Sequence, residues 1–463
     1  MSRSSAALAR AEAVARPGLP FGGFRVSRPA GARLPVVLDA AGRLVHDPGA
    51  RIQRASAAPD GRTLALEVAD DGTERGRLVL VRDGAVRDVP LRLRYAAHRW
   101  VDDHLHLTDT DGRHWRVGPD GDAEPAEPPA APEPARRVTG AVHAVTTADG
   151  VLAHTVEAGH SVLLDLDTEH RLRRRIPVST DTRVRTVTGL AWDAGVAWVR
   201  VEGPAEPPVV VPLAEVGDLP EPPRPSRLVR VDGIELVVTG EGPRLVEVYG
   251  GFGLVELAGY EPSVPAWCAL GGQHVTARVR SAPGAAKAGT VADAVRVARH
   301  LGDPVVLAGA SHGGLVAASA ALAEPGLVAG VACTAAPLDP FRIAEHPLGA
   351  AWAEEVGDPA DAAVRAAMED YAPHLRAARW AAGAAYPRFL LTTFDEDARV
   401  SPGPTDRLAA VLAARGAAVE RVRRPAMGHG GNALDDVHAF AASVLDFALD
   451  CTLDRPHDRT GAP

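Results

Sequence analysis

Residues 309–313 read Gly-Ala-Ser-His-Gly. In this G-x-S-x-G spacing a serine occupies a sharp turn between a strand and a helix, with its hydroxyl exposed and neighbours small enough for the two elements to approach closely. The apolar run before it, residues 305–308, and the Ala/Leu/Val-rich stretch after it supply that strand and that helix. The helix opens directly after Ser311, so its unpaired N–H groups and positive dipole end lie where an oxyanion would form. The chemistry open to such a serine is attack on an acyl carbon. At neutral pH it needs a base within hydrogen-bond reach and an acid that fixes the base's tautomer.

The base is expected at His429, in the loop Ala426-Met427-Gly428-His429-Gly430-Gly431, where flanking glycines let the backbone carry an imidazole over the nucleophile. His438, between Val437 and Ala439 in a helical pattern, reads instead as a surface or half-buried helix residue. For the acid, the strand-like RFLLTTF empties into Asp395-Glu396-Asp397. The residues alone leave these three carboxylates as alternatives. The chain order Ser, acid, His is that of α/β-hydrolases.

The elements that must position these groups follow from residue 228 onward. Strands are predicted near 228–232, 235–239, 244–249, 274–280, 304–308, 329–334, 388–393 and 418–423, with helical patterns between the later ones. In one of these, Val291, Ala294, Val295, Ala298 and Leu301 fall on one face. Such alternation implies a largely parallel sheet covered on both faces, with reactive groups at the strands' carboxyl ends.

The preceding part has another texture. Residues 5–15 read as a short helix ending before Pro17. From Phe24 to about Leu213, short alternating runs are broken by turns such as Pro59-Asp60-Gly61, Asp71-Gly72 and Asp83-Gly84, the pattern of an all-β domain. A period of roughly 40 residues with several strands each is that of propeller blades, and the length leaves room for about four or five. The tract 123–135, AEPAEPPAAPEPA, reads as an exposed polyproline loop between blades. A second Pro-rich passage marks the domain boundary. The expected organisation is a helix or tail over 1–20, a β-propeller-like domain over 21–217, a linker over 218–227, an α/β-hydrolase domain over 228–450 and a tail over 451–463.

Composition narrows the function. The 463 residues are 46% hydrophobic and 24% charged, with a net charge of −9. This gives no electrostatic footprint for nucleic acid or an anionic membrane. Cys268, Cys333 and Cys451 match no zinc spacing and cannot all pair, which suggests a reducing compartment. The opening stretch is interrupted by Arg10, Glu12 and Arg16 and lacks a leader's apolar core, and no apolar run of about 18 residues occurs, so the expectation is a soluble cytoplasmic protein.

From about residue 228 to 450 the chain resembles the hydrolase domain of the prolyl oligopeptidase family of serine peptidases. The resemblance rests on Tyr249-Gly250-Gly251-Phe252, Thr276-Ala277-Arg278-Val279-Arg280, Gly309-Ala310-Ser311-His312-Gly313-Gly314 and Trp352 ahead of Gly357-Asp358-Pro359. It continues in Tyr371-Ala372-Pro373-His374, Asp397-Ala398-Arg399-Val400-Ser401-Pro402 and Gly428-His429-Gly430-Gly431. A β-propeller ahead of the hydrolase is also that family's architecture.

The resemblance implies a triad of Ser311, Asp397 and His429, with Asp397 chosen because the family's acid lies two residues before an arginine. It implies an oxyanion hole made by the Tyr249 hydroxyl and the His312 main-chain N–H. Phe252, Trp352 and Val400 match an apolar pocket for a substrate proline ring, and Arg399 an arginine that binds a substrate carbonyl. Two departures stand out: the family's glycine-rich segment after Arg280 is the short SAPGAAKAGT, and Val356 stands where a proline-specific enzyme carries a tyrosine. Both imply a wider pocket.

The expected activity is a serine peptidase cleaving short or flexible peptides after proline or a small residue through an acyl-enzyme, without metal or organic cofactor. The alternatives are an esterase, thioesterase or peptide cyclase on the same scaffold, and a non-catalytic binder. The expected partner is a peptide or acyl small molecule, with no nucleic acid and no membrane.

Overall fold

The computed structural model describes residues 2–69, 74–129, 138–254, 256–302, 304–425, 427–429 and 434–452. The chain forms two compact units: Met1–Ala11, Ser226–Glu256 and Glu261–Pro463 make one, Glu12–Pro225 and Leu257–Tyr260 the other.

The second unit consists of short antiparallel meanders. Four sheets have four strands each, and a fifth, built on Thr186–Asp193, Val196–Gly203 and Glu206–Pro212, has three. Neighbouring sheets share small cores. Val37 meets Leu64 and Val79 between the first and second; Leu80 and Leu91 meet Leu105 and Val117 between the second and third; Leu152 and Leu163 meet Val187 and Val199 between the fourth and fifth. The first and fifth sheets also approach each other, since a methyl group at Gly189 would stand 2.6 Å from the Leu19 side chain.

One turn recurs in three of these sheets. Asp39, Asp109 and Asp167 each accept a hydrogen bond at Oδ1 from the main-chain N–H of the arginine four residues on, at 2.9, 2.9 and 2.8 Å. The residue before that arginine takes a left-handed conformation: Gly42, Gly112 and His170 have φ of 81°, 81° and 63°. The tract beginning at residue 123 differs from its sequence expectation, because Ala123–Pro125 pairs with His114–Val117 as the outer strand of the third sheet. Proline is tolerated there because an outer strand leaves one row of N–H positions unpaired. Residues 130–135 of that tract, and the predicted turn at Asp71-Gly72, lie outside the described residues.

Among the described residues the hydrolase unit has one eight-stranded sheet. Its strands in chain order are β1 (Arg227–Val231), β2 (Ile234–Gly240), β3 (Arg244–Val248), β4 (Gln273–Arg278), β5 (Val305–Ala310), β6 (Gly330–Thr334), β7 (Arg388–Phe394) and β8 (Val419–Arg424). They lie in the order β1-β2-β4-β3-β5-β6-β7-β8. β2 pairs antiparallel with both β1 and β4, and every other pairing is parallel.

Near-continuous apolar runs are what a strand buried on both faces requires, and here successive residues divide between two cores. Val305 and Leu307 point to one face with Val331, Phe389 and Leu391, while Val306 and Ala308 point to the other with Ala332 and Leu390. The first face is covered by helices that include α3 (Lys287–Leu301), α4 (His312–Ala321) and α8 (Gly403–Ala414). The second is covered by α1 (Arg3–Glu12), α2 (Ser263–Ala269) and α9 (Leu434–Thr452). Helix α1 buries Ala7, Leu8 and Ala11 in that second core. It stops earlier than its pattern suggests because the carbonyls of Glu12 and Val14 accept from the Arg28 guanidinium rather than from a continuing helix. Among the described residues no helix is long and apolar enough to cross a membrane.

Candidate active site

Ser311 follows β5 and precedes α4 in a conformation that few L-residues adopt, φ 51° and ψ −126°. The turn is held by Ser311 N–H donating to Thr334 O at 2.8 Å and by Gly314 N–H donating to Ser311 O at 3.0 Å. It exists because two neighbours lack side chains. A methyl group at Gly309 would lie 2.2 Å from Gly313 O, and one at Gly313 2.3 Å from Val248 O.

Tyr249 leaves β3, the strand beside β5, at the same carboxyl edge of the sheet. The turn it begins carries Gly250 at φ 62° and Phe252 at φ 59°. Burial pushes the Tyr249 phenol above its ordinary pKa, the Glu355 charge pushes it further, and Arg399 pulls it back. The phenol therefore keeps its proton at neutral pH, the form that can donate a hydrogen bond.

His429 Nδ1 and Asp397 Oδ2 are 2.7 Å apart, and Asp397 Oδ1 accepts from the N–H groups of Arg399 and Val400 at 2.8 and 2.9 Å. The carboxylate side chain is 1% exposed and the imidazole 11%. An aspartate that accepts at Nδ1 holds the proton there and leaves Nε2 as the basic nitrogen. Asp395 is engaged by the exposed Arg423 guanidinium, and Glu396 is exposed. Of the three alternatives, Asp397 is the one on the imidazole. The two loops are also tied through Glu396 N–H donating to Met427 O at 3.0 Å. His438 is elsewhere, its Nε2 2.9 Å from Ser5 Oγ between α9 and α1. Gly430 and Gly431 lie outside the described residues.

Ser311, Asp397 and His429 thus follow β5, β7 and β8, all at the carboxyl edge of the parallel strands. Of the expected substrate-binding residues, Phe252 is 37% exposed and Val400 4%. The Phe252 ring stands edge-on to His312, with centroids 5.7 Å apart. Trp352, on α5 (Gly349–Val356), lies beside His346 with centroids 5.7 Å apart. Val356, the departure from a tyrosine, is buried in the first core.

Three further polar residues border the site and were not singled out from sequence. His346 Nδ1 accepts from Ser401 N–H at 3.0 Å, in the loop that carries Asp397. Lys287 and Glu355 form a buried ion pair beneath the Tyr249 turn. A signal for Lys287 existed: it stands four residues before Val291, on the apolar face of α3. His346 and Glu355 left none. Among the described residues no group of three or more His, Cys, Asp or Glu side chains is placed to hold a metal ion.

The strand order, with helices on both faces of the sheet, is that of an α/β-hydrolase fold. Residues 280–455 match the model of the prolyl oligopeptidase family. That match covers the larger part of the hydrolase unit, from just after β4 through α9. No curated protein matches the chain by sequence.

Among solved structures, the chain is similar to a prolyl endopeptidase studied for the role of inter-domain dynamics in catalysis and specificity (18% identity, 93% of this chain and 70% of that one, TM-score 0.60). It is similar to oligopeptidase B from Leishmania major (15%, 92% and 70%, 0.57). It is similar also to prolyl oligopeptidase B from Galerina marginata bound to a 35mer hydrolysis and macrocyclization substrate (14%, 92% and 70%, 0.56). At these identities the likeness is one of fold, a β-propeller with an α/β-hydrolase.

Proposed function

We propose that this chain is a peptidase that cleaves short or flexible peptides after proline or a small residue through a Ser311 acyl-enzyme. The observation that carries the reading is Asp397: one oxygen fixes the His429 tautomer and the other fixes the loop bearing Arg399 and Val400. His429 Nε2 takes the proton from Ser311 Oγ as that oxygen attacks the acyl carbon, and returns it to the leaving amine as the C–N bond breaks. The tetrahedral oxyanion is held by the Tyr249 hydroxyl and the His312 main-chain N–H, each donor contributing about 3 kcal/mol. Water, activated by the same imidazole, then releases the acid. Phe252, Trp352 and Val400 supply apolar contact for the residue before the scissile bond, and Arg399 holds a substrate carbonyl.

Attack on the same Ser311 ester by the peptide's own amine, instead of water, forms a C–N bond as the ester C–O bond breaks and gives a cyclic peptide. The Galerina fold neighbour, with its hydrolysis and macrocyclization substrate, favours keeping that reading. Cys268, Cys333 and Cys451 are all buried, a use of cysteine as a small apolar side chain that supports a cytoplasmic setting.

The test is covalent labelling. A fluorophosphonate probe is expected to modify Ser311, and Ser311→Ala is expected to fold normally and remain unlabelled. Folded wild-type protein that resists the probe would make this a binding protein. Peptide libraries read by mass spectrometry separate the remaining readings: cleavage indifferent to the residue before the scissile bond removes the proline pocket, and cyclic products establish transfer.

A further inference from the structure

The Lys287 ammonium is buried to 1% exposure on the first turn of α3, and the Glu355 carboxylate that pairs with it, on α5, to 8%. Nζ also donates to Gly250 O at 3.2 Å. A buried ion pair is a poor source of stability, because desolvation consumes most of the attraction and apolar residues of similar size often serve as well. What this pair does that apolar residues could not is grip a carbonyl, and the carbonyl is the one following Tyr249.

The turn is held from two sides. On the α3 side, a methyl group at Gly250 would stand 2.4 Å from Thr290 Cγ2, so backbone and helix are already in contact. On the other side is the His312 side chain, 2% exposed. A methyl group at Gly251 would lie 2.5 Å from its Cδ2, and the Tyr249 ring meets the imidazole edge-on with centroids 6.0 Å apart. His312 Nε2 is 3.9 Å from Glu355 Oε1, beyond hydrogen-bond reach, and has no hydrogen-bond partner among the described residues. Burial, with the Lys287 charge, lowers the imidazole pKa to about 3, so the ring is neutral and works by shape. The residue whose main-chain N–H is one oxyanion donor therefore also props the turn that carries the other.

We propose that Lys287 and Glu355 are positioning residues for the oxyanion hole, fixing the Tyr249 hydroxyl through the Gly250 carbonyl. This rests on the catalytic reading given above. Glu355 has a second effect on the same group, since its charge helps to keep the phenol protonated. Lys287 balances that charge so that it can stay buried.

The experiment compares wild type, Lys287→Met, the apolar pair Lys287→Met/Glu355→Leu, Tyr249→Phe, and Tyr249→Phe combined with the apolar pair. The readouts are burst-phase acylation by 4-nitrophenyl acetate, fluorophosphonate labelling rate, and thermal melting. Lys287→Met alone strands a buried carboxylate and is expected to melt lower. The apolar pair is expected to melt near wild type yet acylate at least about tenfold more slowly, with KM changed by less than about twofold. In the Tyr249→Phe background the apolar pair is expected to add less than about twofold, because the group it positions is already gone.

An apolar pair that acylates at the wild-type rate overturns the inference. So does a loss that multiplies in full with that of Tyr249→Phe, and so does failure of the apolar pair to fold, which would make the ion pair a determinant of the fold. Wild-type protein unreactive at Ser311 would instead defeat the catalytic reading, and no difference between variants would then be seen.

Discussion

The two sides of Ser311, which the proposed chemistry makes an oxyanion side and a base side, are built differently. On the oxyanion side, backbone is packed into backbone: Gly309 against Gly313, Gly313 against Val248, and the Tyr249 turn between α3 and the His312 ring. On the base side, two loops hang from the ends of β7 and β8, and a single carboxylate with four lone-pair directions organises them. The first side is specified by volume, and the second by proton placement. A substitution that leaves shape intact should pass unnoticed on one side and be severe on the other.

The sharpest test of that contrast is Asp397→Asn. Its oxygen can still accept from the Arg399 and Val400 N–H groups, so the loop and the melting temperature should be nearly unchanged. Its amide cannot accept from Nδ1–H, which turns the imidazole to the wrong tautomer, and kcat/KM for an ester substrate should fall by about 10⁴. A fall of less than about tenfold would mean that the base side, too, is held by shape alone.

The reciprocal test adds one methyl group on the oxyanion side. Gly309→Ala changes no charge or hydrogen-bonding group, yet its Cβ would meet Gly313 O at 2.2 Å. Urea unfolding should show a loss of at least about 3 kcal/mol, and a tolerated alanine would show that the turn can open.

The weakest of the three effects concerns pH. His312 has a native pKa of about 3 because burial disfavours its charged form, against about 6.5 when unfolded. The unfolded chain therefore binds the proton first. This group contributes nothing to pH dependence above about pH 7, and its burial becomes a growing penalty as pH falls from 6.5 towards 3. Between pH 7 and pH 5 the penalty should reach about 2 kcal/mol. Urea unfolding of wild type and His312→Asn at both pH values checks this, the variant being expected to show the shallower slope.

How much of this could be read from the sequence follows the same division. The serine turn was legible because every constraint on it is local, five consecutive residues between an apolar strand and a helix. The sheet was legible because strands buried on both faces carry near-continuous apolar runs, as in residues 305–308 and 389–391. The choice among Asp395, Glu396 and Asp397 was not open to the residues themselves: it depends on Arg423 drawing Asp395 outward, a contact across 28 positions. The Lys287–Glu355 pair spans 68 positions, and nothing at either end announces the other. In the β unit the turn at Asp109 reads as Asp-Thr-Asp-Gly-Arg, but its kinship with Asp-Ala-Ala-Gly-Arg and Asp-Thr-Glu-His-Arg becomes plain only when all three aspartates are seen gripping the same N–H.

Helix α1 gives the hydrolase unit an unusual order of assembly. Ala7, Leu8 and Ala11 leave the ribosome ahead of the strands they pack against, which follow only after roughly two hundred residues of the other unit, Glu12–Pro225, have been made. Until β7 and α9 are complete these side chains have no permanent place, so closing this face of the sheet recruits a segment made before the whole of the other unit. A nascent chain stalled before residue 390 would hold a finished blade domain between two halves of an unfinished enzyme.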